Sequence, residues 1–145
     1  MLLYHGSNIE VTNPQIIESD RRLDFGKGFY LTSSYEQAKR WAELTVKRRG
    51  TGKEVVSVFE FDDSSASELK ILHFTQAQKK WLEYVTMNRK NQNIPNDDYD
   101  IVIGPVANDR TMPVISLYFS GIYDIEETIK RLMPQKLCDQ YTFRT

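Results

Sequence analysis

The run Asp24-Phe25-Gly26-Lys27-Gly28-Phe29-Tyr30-Leu31-Thr32 constrains this chain more than any other part of it. Two glycines one residue apart allow a turn that side chains would block. The residues after the turn alternate like a strand instead of repeating like a helix. A dinucleotide-binding fold of the doubly wound kind needs a Gly-x-Gly-x-x-Gly turn opening a helix. Gly26-x-Gly28 leads into a strand, so that architecture is excluded. Alternation puts Tyr30 on the face of Gly28 and Thr32, opposite Phe29 and Leu31. If Phe29 and Leu31 face the core, Tyr30 is free to present its ring to a flat ligand. Without a ligand, the same residues make a hairpin turn with a partly buried tyrosine.

Around this run, short strands alternate with helices, without repeats, low-complexity tracts or linkers. Residues 2–5 read as a strand, followed by a polar stretch through Arg22, and residues 28–32 as a second strand. Ser34 caps a helix, with Gln37 completing a capping box. Ala38, Trp41, Ala42 and Val46 share one face of that helix, which Gly50 and Gly52 end. Residues 54–61 and 69–72 read as strands. Thr75 opens a helix carrying Trp81, Leu82, Tyr84 and Val85, and residues 88–98 form a loop. A short buried strand covers 100–104. Pro113 fits the first turn of a helix that stops at Gly121. Asp124 with Glu127 starts another helix, ending near Pro134, and residues 137–143 form a last strand. The fold class expected is α+β in a single domain, 1–145, with five or six strands and four helices.

The 145 residues suffice for one hydrophobic core, and 40% hydrophobic with 27% charged residues is an ordinary soluble composition. No window approaches 18 consecutive apolar residues, so no membrane partner is expected. The first strand is expected to begin at Leu2, so no secretory signal is expected, and Cys138 is the only cysteine. A cytoplasmic setting without an internal disulfide is the natural reading. The formal net charge of -1 argues against a dedicated nucleic-acid binder. Lys47-Arg48-Arg49 reads as the solvated last turn of a helix, where its charge favours the dipole. No metal site is expected, because His5 and His73 are the only histidines and no ligand cluster has suitable spacing. Cys138 is a poor nucleophile beside Asp139, whose charge disfavours a thiolate.

Three segments place a polar or aromatic group on a strand beside a glycine or tight turn. In Tyr4-His5-Gly6-Ser7, the glycine leaves room for a ligand to approach the backbone. Taken alone, His5 is as well read as a satisfied histidine at a strand end. The second segment is the Asp24–Thr32 run. In the third, Leu137, Asp139, Tyr141 and Phe143 share one strand face, and Cys138, Gln140 and Thr142 the other. The apolar face is expected to pack, which leaves Gln140 pointing away from it. Alone, this segment is any amphipathic edge strand.

In their joint order, Tyr-His-Gly-Ser, Gly-Lys-Gly-Phe-Tyr and a Gln-centred last strand resemble ADP-ribosyltransferases of the diphtheria-toxin and poly(ADP-ribose)-polymerase type. Asp24–Tyr30 and Gln37-Ala38-x-x-Trp41-Ala42 are similar to an uncharacterised bacterial group of that superfamily. The resemblance spans nearly the whole chain. It implies a split β-sheet core with peripheral helices, and NAD as substrate. By position, His5 would bond a ribose hydroxyl and the Gly6 backbone would hold the nicotinamide carboxamide. Tyr30 would stack on the nicotinamide ring, and Ser7 would add a polar contact. Gln140 falls where the superfamily usually carries its catalytic glutamate.

That departure has a magnitude. As nicotinamide leaves, positive charge develops on the ribose, and a nearby carboxylate stabilises it. At ~4 Å and an effective dielectric of ~20, one charge contributes roughly 4 kcal/mol, which is about a thousandfold in rate. Gln140 keeps the acceptor and loses the charge. Asp109 is the candidate to supply the charge instead, although it also reads as an ordinary turn aspartate. Asp139 should face away from Gln140. Arg22 could bond a pyrophosphate or simply be solvated.

The resemblance implies an enzyme that moves ADP-ribose from NAD to a macromolecule, protein or nucleic acid. Compact bacterial members of the superfamily are often toxins of toxin–antitoxin pairs, so an antitoxin protein is an implied partner. Two alternatives remain open: a catalytically weak NAD-binding or protein-interaction module, and an NAD glycohydrolase. RNA 2'-phosphotransferases share the fold, but they would carry arginines at the motif positions, where His5 and Tyr30 do not fit.

Overall fold

The computed structural model describes residues 1–14, 23–62, 64, 68–107, 111–132 and 137–144. In chain order the elements are β1 (Leu2–Ser7), β2 (Phe29–Leu31), α1 (Tyr35–Arg49), β3 (Val55–Glu60) and β4 (Ile71–His73). They continue with α2 (Lys79–Arg89), β5 (Ile101–Pro105), α3 (Met112–Phe119), α4 (Ile125–Leu132) and β6 (Asp139–Phe143). The chain is a small single-domain α+β protein, with two sheets and four helices among the described residues.

One sheet has the order β1-β3, the other β2-β6-β5-β4. Only β4 and β5 run parallel. A lone bridge, Tyr4 with Thr32, links the two sheets, through Tyr4 N to Thr32 O at 2.8 Å and Thr32 N to Tyr4 O at 2.9 Å. The first and last strands therefore flank the same short strand, β2.

Each sheet is covered on both faces. Phe29 meets Phe59 edge-on at 5.8 Å, and Phe61 meets Phe143 at 5.4 Å and Tyr141 at 6.4 Å. These rings pack the two sheets together. Helix α1 covers the other side of β1. There Gly6 is required by close approach, because a Cβ would lie 1.9 Å from Ala38 O. The other side of the four-stranded sheet carries the main core, in which Phe25, Trp81, Leu82, Val85, Val102, Ile115 and Leu132 are buried and Tyr30 is packed against them.

Local signals account for most element ends. Ser34 caps α1 and its side chain accepts from Gln37 N at 3.2 Å. The capping box is half formed, since Ser34 N donates to Thr32 Oγ1 at 3.1 Å. Asp124 Oδ1 accepts from Glu127 N at 2.8 Å ahead of α4. That helix is described to Leu132, and Pro134 lies outside the described residues. Thr75 does not open α2: the helix starts at Lys79 after Gln78, which makes no side-chain cap. Strand β1 runs two residues further than expected, to Ser7, and α2 continues to Arg89.

The two faces of the last strand separate as expected, but the polar one is buried as well. Gln140 is 2% exposed and Thr142 fully buried, while Asp139, Tyr141 and Phe143 are half-buried. The polar side faces the helical layer and the aromatic side faces the other sheet. Beyond β6, Arg144 forms a bidentate pair with Asp97, at 2.7 and 2.9 Å. Burial works against the Asp97 charge, but bonds from Arg144 and Tyr84 outweigh it and hold the carboxyl below its ordinary range.

Gly6→Ala tests the contact between α1 and β1. Overpacking against a backbone oxygen should cost about 2–3 kcal/mol or more, read as a lower denaturation midpoint. An unchanged midpoint would mean that α1 does not sit this close.

Candidate functional site

The phase of hydrogen bonding along β1 decides what its free edge offers. Phe61 N donates to Met1 O at 2.8 Å, toward β3, whereas Tyr4 bonds Thr32, toward β2. In an antiparallel strand these directions alternate. The backbone groups of Gly6 therefore point the same way as those of Tyr4, at the position opposite Tyr30. A continuous sheet would pair Gly6 with Tyr30. Here it does not, because His5 Nδ1 takes Tyr30 O at 2.7 Å. The imidazole reaches across the gap, and among the described residues Gly6 N–H, Gly6 C=O and Tyr30 N–H take no hydrogen-bond partner there.

A carbonyl only accepts, so His5 Nδ1 carries the proton and Nε2 keeps its lone pair. The ring stacks on Phe29, with centroids 4.3 Å apart and planes at 20°. Burial pushes the His5 pKa down and the nearby Arg49 charge adds to this, outweighing the bond to Tyr30 O. His5 is a neutral acceptor at the split.

Gly6 does not leave the room expected of it: the space where its side chain would stand is filled by α1, and only the strand edge of its backbone is open. Ser7 is buried, and its hydroxyl donates to Asn8 Oδ1 at 3.4 Å.

Tyr30 is not free to present itself outward. Its hydroxyl donates to Gly26 O at 2.5 Å and accepts from Phe25 N at 3.0 Å. The ring thus props the turn that precedes its own strand, where Gly26 takes φ 76, a conformation suited to glycine. Burial, followed by the Asp24 charge, pushes the hydroxyl well above its ordinary value of 10.0, so it stays protonated.

That turn places Asp24, 5% exposed, beneath Gln140. Asp24 Oδ1 accepts from Arg89 Nε at 2.7 Å and is also ion-paired to the Arg89 terminal nitrogen. Its Oδ2 accepts from Ala107 N and from Gln140 Nε2, each at 3.0 Å. Gln140 Nε2 donates a second time, to Pro105 O at 3.2 Å. Both neighbours are pure acceptors, which fixes the amide orientation. Gln140 Oε1 must point away from them and makes no hydrogen bond among the described residues.

His5, Tyr30 and Gln140 thus stand on three adjacent strands, β1, β2 and β6. Two strand spacings, about 10 Å, separate the backbones of the outer pair. Asp139 faces elsewhere, its carboxylate held by Ser33 N at 3.0 Å and Ser33 Oγ at 2.7 Å. Arg22 and Asp109 lie outside the described residues. Sequence reasoning gives no role to Asp24 or Arg89. A carboxylate between Leu23 and Phe25 is a readable sign of burial, but nothing in the sequence marks Arg89 as its partner.

Over residues 1–145 the chain matches the model of a family described as Protein of unknown function (DUF3990). The chain belongs to that family. No curated protein and no solved structure matches it. Among the described residues, no helix is long and apolar enough to cross a membrane, and no group of three or more His, Cys, Asp or Glu could hold a metal ion. As a candidate site, this part of the DUF3990 chain offers a neutral histidine acceptor, a backbone donor–acceptor pair and an amide oxygen.

The His5 environment gives a pH prediction. Its folded pKa lies below the ordinary 6.5, so the unfolded chain binds that proton more readily. The stability contributed by neutral His5 is complete above pH 6.5 and is lost as pH falls from there toward the folded value. Between about pH 7.5 and about pH 5.5, the wild-type Tm should fall more steeply than that of His5→Gln. Parallel curves would show that His5 is not held neutral.

Proposed function

We propose that this protein is an NAD-dependent ADP-ribosyltransferase acting on a macromolecular acceptor, protein or nucleic acid, with its site at the split between the sheets. The observation that carries the reading is the pair of backbone groups on Gly6, held open by the His5 imidazole. A primary carboxamide presents one donor face and one acceptor, which complements Gly6 C=O and Gly6 N–H. Two acceptors suited to ribose hydroxyls, His5 Nε2 and Gln140 Oε1, stand on the strands either side of β2.

In this reading the carboxamide of NAD docks on Gly6, and the nicotinamide ring lies beside β2 at Tyr30. The tyrosine acts through its ring and through the turn it props, since its hydroxyl is already committed. His5 and Gln140 hold the ribose so that its anomeric carbon is exposed to attack. The bond from that carbon to the nicotinamide nitrogen breaks, and nicotinamide leaves with the electron pair. The acceptor's nucleophile then bonds the ribosyl cation and gives up its proton. Positioning of this kind supplies much of the barrier reduction when the geometry is preset.

A second reading is favoured by one feature, the uncharged Gln140. Without a carboxylate at the ribose, the site would bind NAD and turn over slowly, or serve as a binding module. Calorimetric binding without nicotinamide release would single out that reading, and release without transfer would mark a glycohydrolase.

The wild type should release nicotinamide from NAD and shift the mass of an acceptor in a protein or nucleic-acid fraction. His5→Ala and Gln140→Ala each remove one acceptor at the ribose and should slow release by roughly 10- to 1,000-fold. A wild type that neither binds NAD nor releases nicotinamide sinks the proposal.

A further inference from the structure

We infer that Asp24 is the positioning residue of this site, acting through Gln140; the inference rests on the functional reading above. The Asp24 carboxylate sits on the Nε2 side of the Gln140 amide, opposite Oε1. By accepting from Nε2 at 3.0 Å, it determines which end of the amide is presented. Pro105 O makes the same demand at 3.2 Å. With both amide hydrogens committed, the only atom Gln140 can offer a ligand is Oε1.

The carboxylate also polarises what it orients. A hydrogen bond donated to a charged acceptor draws density through the amide and strengthens its oxygen as an acceptor. A negative charge therefore reaches the ribose at one remove, with a neutral group at the point of contact. Arg89 holds the carboxylate in place from its other oxygen, and Ala107 N fixes the oxygen shared with Gln140.

The same geometry explains why position 140 carries an amide. A glutamate there would set a carboxylate oxygen where Nε2 stands, 3.0 Å from Asp24 Oδ2 and 3.2 Å from Pro105 O, with no donor between them. Like charges at that separation cannot both persist. Gln140→Glu alone therefore restores no transferase-like charge; it creates a clash. Exchanging the two roles, with Asn at 24 and Glu at 140, returns a donor facing an acceptor at that one contact and leaves the net charge of the cluster unchanged, while Ala107 N and Pro105 O still lose their partners.

The test is a double-mutant cycle on the full chain, with Asp24→Asn, Gln140→Glu and the two combined. Tm, NAD affinity by calorimetry and nicotinamide release are measured for each. Each single variant should lower Tm by on the order of 5 °C, and the double variant should lose less than their sum. Asp24→Asn should cut kcat for release roughly 10- to 100-fold, with a smaller change in KM, and Glu at 140 in the double variant should restore part of it. A merely structural aspartate would move Tm and leave kcat per folded molecule unchanged. Should the single variants not fold, the wild type still decides the geometry by NMR. The Gln140 side-chain NH2 should exchange with solvent about tenfold or more slower than that of exposed Gln92.

Additive losses in the cycle, or wild-type kcat in folded Asp24→Asn, overturn the positioning role while leaving the NAD reading intact. A wild type that binds no NAD overturns the functional reading, and this role with it. That result is distinct, because it appears before any substitution is made.

Discussion

The Asp24 carboxylate is the interaction on which the rest of the site depends. It gathers donors from the end of α2, from the start of the loop after β5 and from the side chain of Gln140 on β6. A carboxylate this buried is costly unless it is paired and fully hydrogen-bonded. Arg89 and the neutral donors meet that condition, so the loop before β2 cannot shift without leaving several groups unsatisfied. Tyr30 closes the arrangement from above by bonding Gly26 O and Phe25 N. The turn, the strand after it and the last strand are therefore one mechanical unit.

Against that fixed unit, the split between the sheets is a local choice of hydrogen bonds. Tyr4 and Thr32 pair as a regular sheet requires, and two residues later the ladder stops. It stops because a side chain, His5, takes the carbonyl that the backbone of Gly6 would have taken. Unpaired strand edges are a hazard for association with other chains. Here the exposed length is a single residue pair, bounded by the bridge on one side and covered by α1 over the face of Gly6. An opening that small suits a small polar group and not another strand.

Much of the fold is legible in the sequence, for reasons that are local. Gly26 announces a turn, Ser34 a helix start, and alternation locates β2, β3 and β6 to within a residue or two at each end. The features that sequence hides depend on partners distant in the chain. Alternation sorts β6 into an apolar side that packs and a polar side turned the other way, and Tyr141 and Phe143 do pack, against Phe61 of the other sheet. What alternation hides is that the polar side is buried too. Gln140 can then be buried on the polar side, because Asp24, 116 residues away, and Pro105 O satisfy its amide. The start of α2 is hidden because Thr75 looks like a cap, whereas the helix begins after Gln78 with no capping side chain at all. The role of Gly6 is half legible: its smallness shows in the sequence, but the helix that needs it does not.

The amide at position 140 follows from this order of constraints. A carboxylate on β6 would serve a developing cation directly, but it would have to sit beside the Asp24 charge that holds the turn together. One of the two charges has to be given up. Losing Asp24 would leave Arg89 and Ala107 N without their acceptor and release the turn that Tyr30 props. Replacing a glutamate at 140 by glutamine costs the fold nothing and gains it a hydrogen bond. With the scaffold charge fixed first, the neutral residue falls at position 140, and under the proposed NAD reading any negative character at the ribose would be transmitted through the amide.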